Sequence, residues 1–95
     1  MISIKVHRKG EERVLAACDR ELLGKEFEED EIKLATPEDF YFERIVSKEE
    51  LQEELEKATI ANLVGEKAVD AFVETSGDCR ILRVEGVPHV QVFTI

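Results

Sequence analysis

The chain has 95 residues, of which 43% are hydrophobic and 37% charged, with a formal net charge of −9. That is enough chain for one domain with a single core that folds without disulfides or metal, and too acidic for tight, non-specific binding to nucleic acid. No stretch is long and apolar enough to span a bilayer. The start, Met-Ile-Ser-Ile-Lys-Val-His, alternates like a strand and lacks the basic-then-apolar order of a leader, so a cytoplasmic protein is expected.

Ile2, Ile4 and Val6 alternate with Ser3, Lys5 and His7, the period of a half-buried strand. A turn over Arg8 to Glu12, with Gly10 at its centre, leads into a second strand from Arg13 to Cys18, making a hairpin. Asp19 to Gly24 reads as one helical turn capped by Asp19 and stopped by Gly24. A short strand near Ile32–Leu34 is broken by Thr36-Pro37, and Phe40 to Val46 reads as another strand, rich in aromatic and β-branched residues.

Ser47 and Glu50 have the spacing of a capping box, which starts an amphipathic helix over 48–57. Ile60, Leu63, Val64, Ala68, Ala71 and Phe72 then share one side at helical spacing, widened by Val69 and Val73. This predicts a buried central helix over 59–75, stopped at Gly77. Arg80 to Glu85 and His89 to Thr94 alternate like strands around a turn at Gly86-Val87-Pro88. The expected fold is α+β: one domain over residues 1–95, with antiparallel hairpins at both ends packed against the central helix.

Asn62 and Gly65 are out of place in that helix. Glycine costs about 1 kcal/mol there relative to alanine, and a buried amide needs partners. Together with His89 and Gln91, which share a strand face, they form a candidate polar cluster. The expectation is that the 86–91 turn packs beside Asn62 and Gly65, either as a structural clasp or as a small-ligand site. If the amide is buried and bonded, Asn62→Ala should cost about 1–3 kcal/mol. Thr59 is expected to be a mid-helix hydroxyl or a cap at a helix break.

Lys5, Arg8, Lys9 and Arg13 cluster at one hairpin end, where they are candidate RNA-backbone contacts, with Arg80 and Arg83 joining if the hairpins are neighbours. The acidity is concentrated elsewhere: residues 26–56 hold 13 acids against three bases. Cys18 and Cys79 read as free thiols. His7, Cys18, Cys79 and His89 are metal-ligating types without the close-paired spacing of a zinc site, and no metal or cofactor is expected. Isolated glycines make no phosphate loop, and no nucleophile–base pair stands out, so no catalytic residue is assigned.

Three blocks, Cys18-Asp-Arg-Glu-Leu-Leu-Gly-Lys25, Thr59-Ile-Ala-Asn-Leu-Val-Gly-Glu66 and Gly86-Val-Pro-His-Val-Gln91, resemble the archaeal family catalogued as domain of unknown function 424. The resemblance spans essentially the whole chain and includes Asn62, Gly65, Pro88, His89 and Gln91. It implies an archaeal, cytoplasmic, stand-alone protein and supplies no activity. The functional expectation is a non-enzymatic binding module working with RNA or a protein of the translation apparatus. The alternative is a small-ligand-binding protein or enzyme built around Asn62, His89 and Gln91.

Overall fold

A computed structural model describes residues 1–77 and 79–93. Strands β1 (Ile2–Lys9) and β2 (Glu12–Asp19) form the N-terminal hairpin, followed by a 3-10 turn at Arg20–Leu22. A second hairpin, β3 (Glu26–Glu29) and β4 (Ile32–Ala35), precedes helix α1 (Glu38–Tyr41) and strand β5 (Arg44–Val46). Then come α2 (Lys48–Lys57), β6 (Ile60–Val64), α3 (Glu66–Ser76), β7 (Leu82–Val84) and β8 (Val87–Phe93). Six strands make one sheet in the order β5-β1-β2-β6-β8-β7, with β3 and β4 forming a separate ribbon. Every neighbouring pair is antiparallel except β2 and β6.

Strand alternation divides the core between the two sheet faces. Ile2, Ile4, Leu15, Ala17, Ala61, Leu63 and Val90 meet Leu51 of α2 and Ala68, Val69 and Ala71 of α3. On the other face, Ala16, Cys18, Val64 and Val84 meet Tyr41 of α1, Leu34 and Phe27 of the ribbon, and Leu22 and Leu23. The ribbon is fastened at its tip: the Glu28 N–H donates to Glu85 Oε2 (2.7 Å) and the Glu85 N–H to Glu29 Oε1 (2.6 Å).

The fold is α+β, with hairpins near both ends, but the central helix over 59–75 is not formed. Residues 60–64 are a strand, and α3 begins only at Glu66. Ile60–Val64 is a short inner strand with Ala61 and Leu63 buried on one face and the apolar Ile60 and Val64 flanking Asn62 on the other, so its apolar residues form a run with no period of their own. Joined to the true helical stripe of α3, that run imitates a longer helix.

Gly65 is where the backbone changes course. Its φ of +105° and ψ of 157° lie in a region that only glycine enters freely. Pro88 fits the same junction. The Gly65 N–H donates to the Pro88 carbonyl (2.9 Å), while the Gly65 carbonyl accepts from the Val69 N–H (3.0 Å), opening α3. In an antiparallel ladder a residue sends its N–H and C=O to the same neighbour. Proline has no N–H, so β8 makes no claim on the Gly65 carbonyl that the helix needs.

Three smaller expectations also change. Phe40 and Tyr41 belong to α1, not to a strand: their N–H groups both bond the Pro37 carbonyl, and strand pairing starts only at Arg44. The Asp19 side chain does not cap its own turn. It crosses to α3, where Oδ2 accepts from the Lys67 N–H (3.1 Å) and Oδ1 from the Ala68 N–H (2.9 Å). The last turn is Glu85-Gly86, with both residues at positive φ, so Val87 and Pro88 lie in β8. The capping box at Ser47 and Glu50, the helix over 48–57 and the stop at Gly77 form as expected, and Thr94 lies outside the described residues.

Candidate functional site

The sheet register turns the face under α1 and the ribbon into a grid. One row runs Lys5, Ala16, Asn62, Gln91 across β1, β2, β6 and β8. The row on one side is Ser3, Cys18, Val64, His89, Leu82; the row on the other is His7, Val14, Ile60, Phe93. Gln91 therefore stands directly opposite Asn62, with side chains about 5 Å apart at Cβ, and His89 is diagonal to Asn62 at about 7–8 Å. The expected juxtaposition of residues 86–91 with Asn62 and Gly65 is present, made by strand pairing and by the Gly65–Pro88 bond.

Cover over this face is partial. α1 lies along β1: Ser3 Oγ donates to the Tyr41 carbonyl (2.7 Å), Lys5 Nζ donates to the Asp39 carbonyl (2.7 Å), and His7 stacks on Phe40 with ring centroids 4.4 Å apart. Ala16, Cys18, Val64 and Val84 belong to the cluster beneath α1 and the ribbon. Beyond it the face opens: Phe93 is 61% and Leu82 48% exposed, Gln91 is exposed, and Asn62, Ile60 and Val14 are half-buried.

Among the described residues, no protein group hydrogen-bonds the side-chain amides of Asn62 and Gln91 or the His89 ring, and no buried side-chain polar atom is left orphaned. Asn62 is therefore not the buried, bonded clasp amide that a helix position implied. It is a strand residue with an accessible amide. Burial holds the His89 imidazole below its usual pKa, so the ring is neutral at pH 7.

Gly65 belongs to the scaffold beneath this face. A Cβ on residue 65 would lie 2.6 and 2.8 Å from the two Asp19 carboxylate oxygens, so its bare backbone makes room for the carboxylate that holds the start of α3. Burial pushes the Asp19 pKa up, opposed by the two backbone N–H groups it accepts from. Thr59, outside any helix, clamps β6 to β2: its Oγ1 accepts from the Arg13 N–H (2.9 Å) and donates to the Arg13 carbonyl (3.2 Å).

The basic hairpin is not one patch. Lys5 and Lys9 alternate onto the Asn62 face, while Arg8 and Arg13 alternate onto the helix face. There Arg8 and Arg13 line a recess of about 440 Å³ with Val6, Glu43 and Arg44. Glu54 ties down both Arg13 (2.8 Å) and Arg44 (3.0 Å). Arg83 bonds Glu66 (2.9 Å) on the far edge strand, so β7 adds nothing to the basic end. Cys18 is fully buried; burial, aided by the charges of Asp19 and Glu21, pushes its thiol up to about 12, which removes it as a nucleophile. Sequence reading missed Ile60, Phe93 and Leu82, whose place beside Asn62 follows only from the strand register.

No helix among the described residues is long and apolar enough to cross a membrane. No curated protein matches the chain. Among solved structures, the crystal structure of an uncharacterised conserved protein from Methanopyrus kandleri is similar, with a TM-score of 0.81 and 27% identity, over 99% of this chain and 91% of that one. The family model described as protein of unknown function (DUF424) matches residues 7–95, and the chain belongs to that family.

Proposed function

We propose that this protein is a non-enzymatic binding module that takes single-stranded RNA on the open part of the sheet face. The observation that carries the reading is the set of three polar side chains, Asn62, Gln91 and His89, that share one face without internal hydrogen bonds. Each amide offers donors and an acceptor matched to a base edge, and a neutral ring and the exposed Phe93 offer stacking surfaces. Lys5 and Lys9 border the face and are the only lysines on β1, so phosphate contacts are few. With about two of them, log K should fall against log salt with a slope of about −1.4, far shallower than for a basic RNA-binding domain.

The test is fluorescence anisotropy with a labelled pool of short single-stranded RNA. Asn62→Ala with Gln91→Ala should weaken binding by about tenfold, since two lost hydrogen bonds at about 0.5–1.5 kcal/mol each amount to about 1–3 kcal/mol, while Arg8→Ala should leave it unchanged. Absence of binding at low salt, or binding indifferent to the paired amide variants, would refute the reading. A second reading keeps the same three residues and substitutes a nucleoside-sized ligand, favoured by the half-buried, neutral His89. A mononucleoside that competes fully with the RNA pool would support it.

A further inference from the structure

On the helix side of the sheet, α2, α3, the start of β6 and Val92 of β8 line a groove of about 480 Å³, across which Gln52 Nε2 donates to the Ala71 carbonyl (3.0 Å). That lies within the roughly 300–1,000 Å³ of ligand sites. Its apolar lining is Leu55, Ala58, Ala61, Phe72 and Val92. One rim is α2, which contributes Glu49, Glu53 and Glu56, spaced i, i+4 and i+7 along a single stripe. The other carries the neutral Thr75 and Ser76.

The two sides of α2 treat their acids differently. Glu50 and Glu54 face Arg44, Arg13 and Lys57 and are paired. Among the described residues no cation lies within ion-pair distance of Glu49, Glu53 or Glu56, and only Lys48, itself paired with Glu74, acts on Glu49 from nearby. Like charges at i, i+3 and i+4 repel by a few tenths of a kcal/mol per pair, an effect offset at Glu49 by the positive start of α2 and left standing between Glu53 and Glu56. An apolar floor with a rim of unneutralised carboxylates is complementary to a segment with apolar anchors flanked by lysine or arginine. We infer that the α2–α3 groove is a protein-docking site for a basic, amphipathic peptide segment of a partner protein, separate from the RNA-facing side of the sheet.

A labelled amphipathic peptide of leucine and lysine at helical spacing is the probe, titrated into the full chain at low salt. Binding is expected, and Glu49→Gln, Glu53→Gln and Glu56→Gln together should weaken it by tenfold or more. The three side chains are exposed, and the relief of self-repulsion offsets the loss of Glu49 from the positive start of α2, so the variant is expected to fold, which circular dichroism checks. Glu11→Gln with Glu12→Gln, two exposed acids elsewhere, should leave the affinity unchanged. Equal losses in both variants would mean non-specific attraction to an acidic protein and would overturn the inference. So would an affinity indifferent to the groove carboxylates. A dimer of the free chain that dissociates as peptide binds would make a second copy the occupant and overturn it as well.

Discussion

Gly65→Ala is the sharpest structural test, because two costs converge on one methyl group. Placing alanine at φ +105° and ψ 157° costs about 1–3 kcal/mol. The methyl would sit 2.6 and 2.8 Å from the Asp19 oxygens, so the carboxylate must leave the Lys67 and Ala68 N–H groups it serves. Losing those bonds at a buried helix start adds about 1–3 kcal/mol. Against a total stability of about 5–15 kcal/mol, the sum of about 2–6 kcal/mol should lower the melting temperature by at least roughly 8 °C, at about 4–8 °C per kcal/mol. Urea and thermal unfolding by circular dichroism measure it. Asp19→Ala provides the cycle: without the carboxylate, Gly65→Ala should cost only the backbone strain, leaving a coupling of about 1–3 kcal/mol. A Gly65→Ala variant within about 0.5 kcal/mol of wild type, or additive effects of the two substitutions, would refute the account of this junction.

Asn62→Ala should change stability by less than about 0.5 kcal/mol, since its amide has no protein partner to orphan; a loss above about 1 kcal/mol in urea unfolding would restore the clasp reading. Arg13 holds the Glu54 carboxyl below its usual pKa, so the ionised form stabilises the fold. That contribution is whole above pH 4.5 and is lost as pH falls through the folded value. Glu54→Gln should therefore cost about 1–2 kcal/mol at pH 7, and the gap to wild type should close on acidification; a gap independent of pH would contradict this. Because burial lowers the His89 pKa, protonation disfavours the folded state, and stability should fall as pH drops below 6.5. His89→Gln should flatten that part of the profile measured by thermal unfolding. Cys18 should resist a thiol reagent at pH 8 in the native protein and react only on unfolding, while the half-buried Cys79 reacts first.

The parts of the fold that declare themselves in sequence are those with one wet side. β1 and β2 alternate, α2 carries its own capping box, and both could be read directly. β3 was missed because Glu26-Phe-Glu-Glu29 has a single apolar residue and its turn, Asp30-Glu31, takes positive φ without the usual glycine. β6 imitates a helix because an inner strand with apolar residues on both faces, Ala61 and Leu63 on one and Ile60 and Val64 on the other, loses its period of two. Gly65 was the available arbiter: a glycine between an apolar five-residue run and a helical stripe marks a strand-to-helix junction as readily as a flaw in a helix. The proximity of Asn62 to His89 and Gln91 was legible, but its cause is strand pairing across β6 and β8. The groove beside Glu49, Glu53 and Glu56 requires α3 and β8 in place, which a single helix pattern does not carry. The split of the basic residues between two faces follows from simple alternation along β1 and β2.

The central claim is that the face carrying Asn62, Gln91 and His89 is the RNA-binding surface. Backbone and side-chain amide chemical shifts recorded while single-stranded RNA is titrated into the labelled full chain test it directly. The account predicts that the Asn62 and Gln91 side-chain amides and the backbone of Ile60, His89 and Phe93 move together and saturate with one affinity, while Arg8, Arg13 and the α2 stripe stay still. Shifts confined to the Arg8–Arg13 recess, or none at all at low salt, would contradict it.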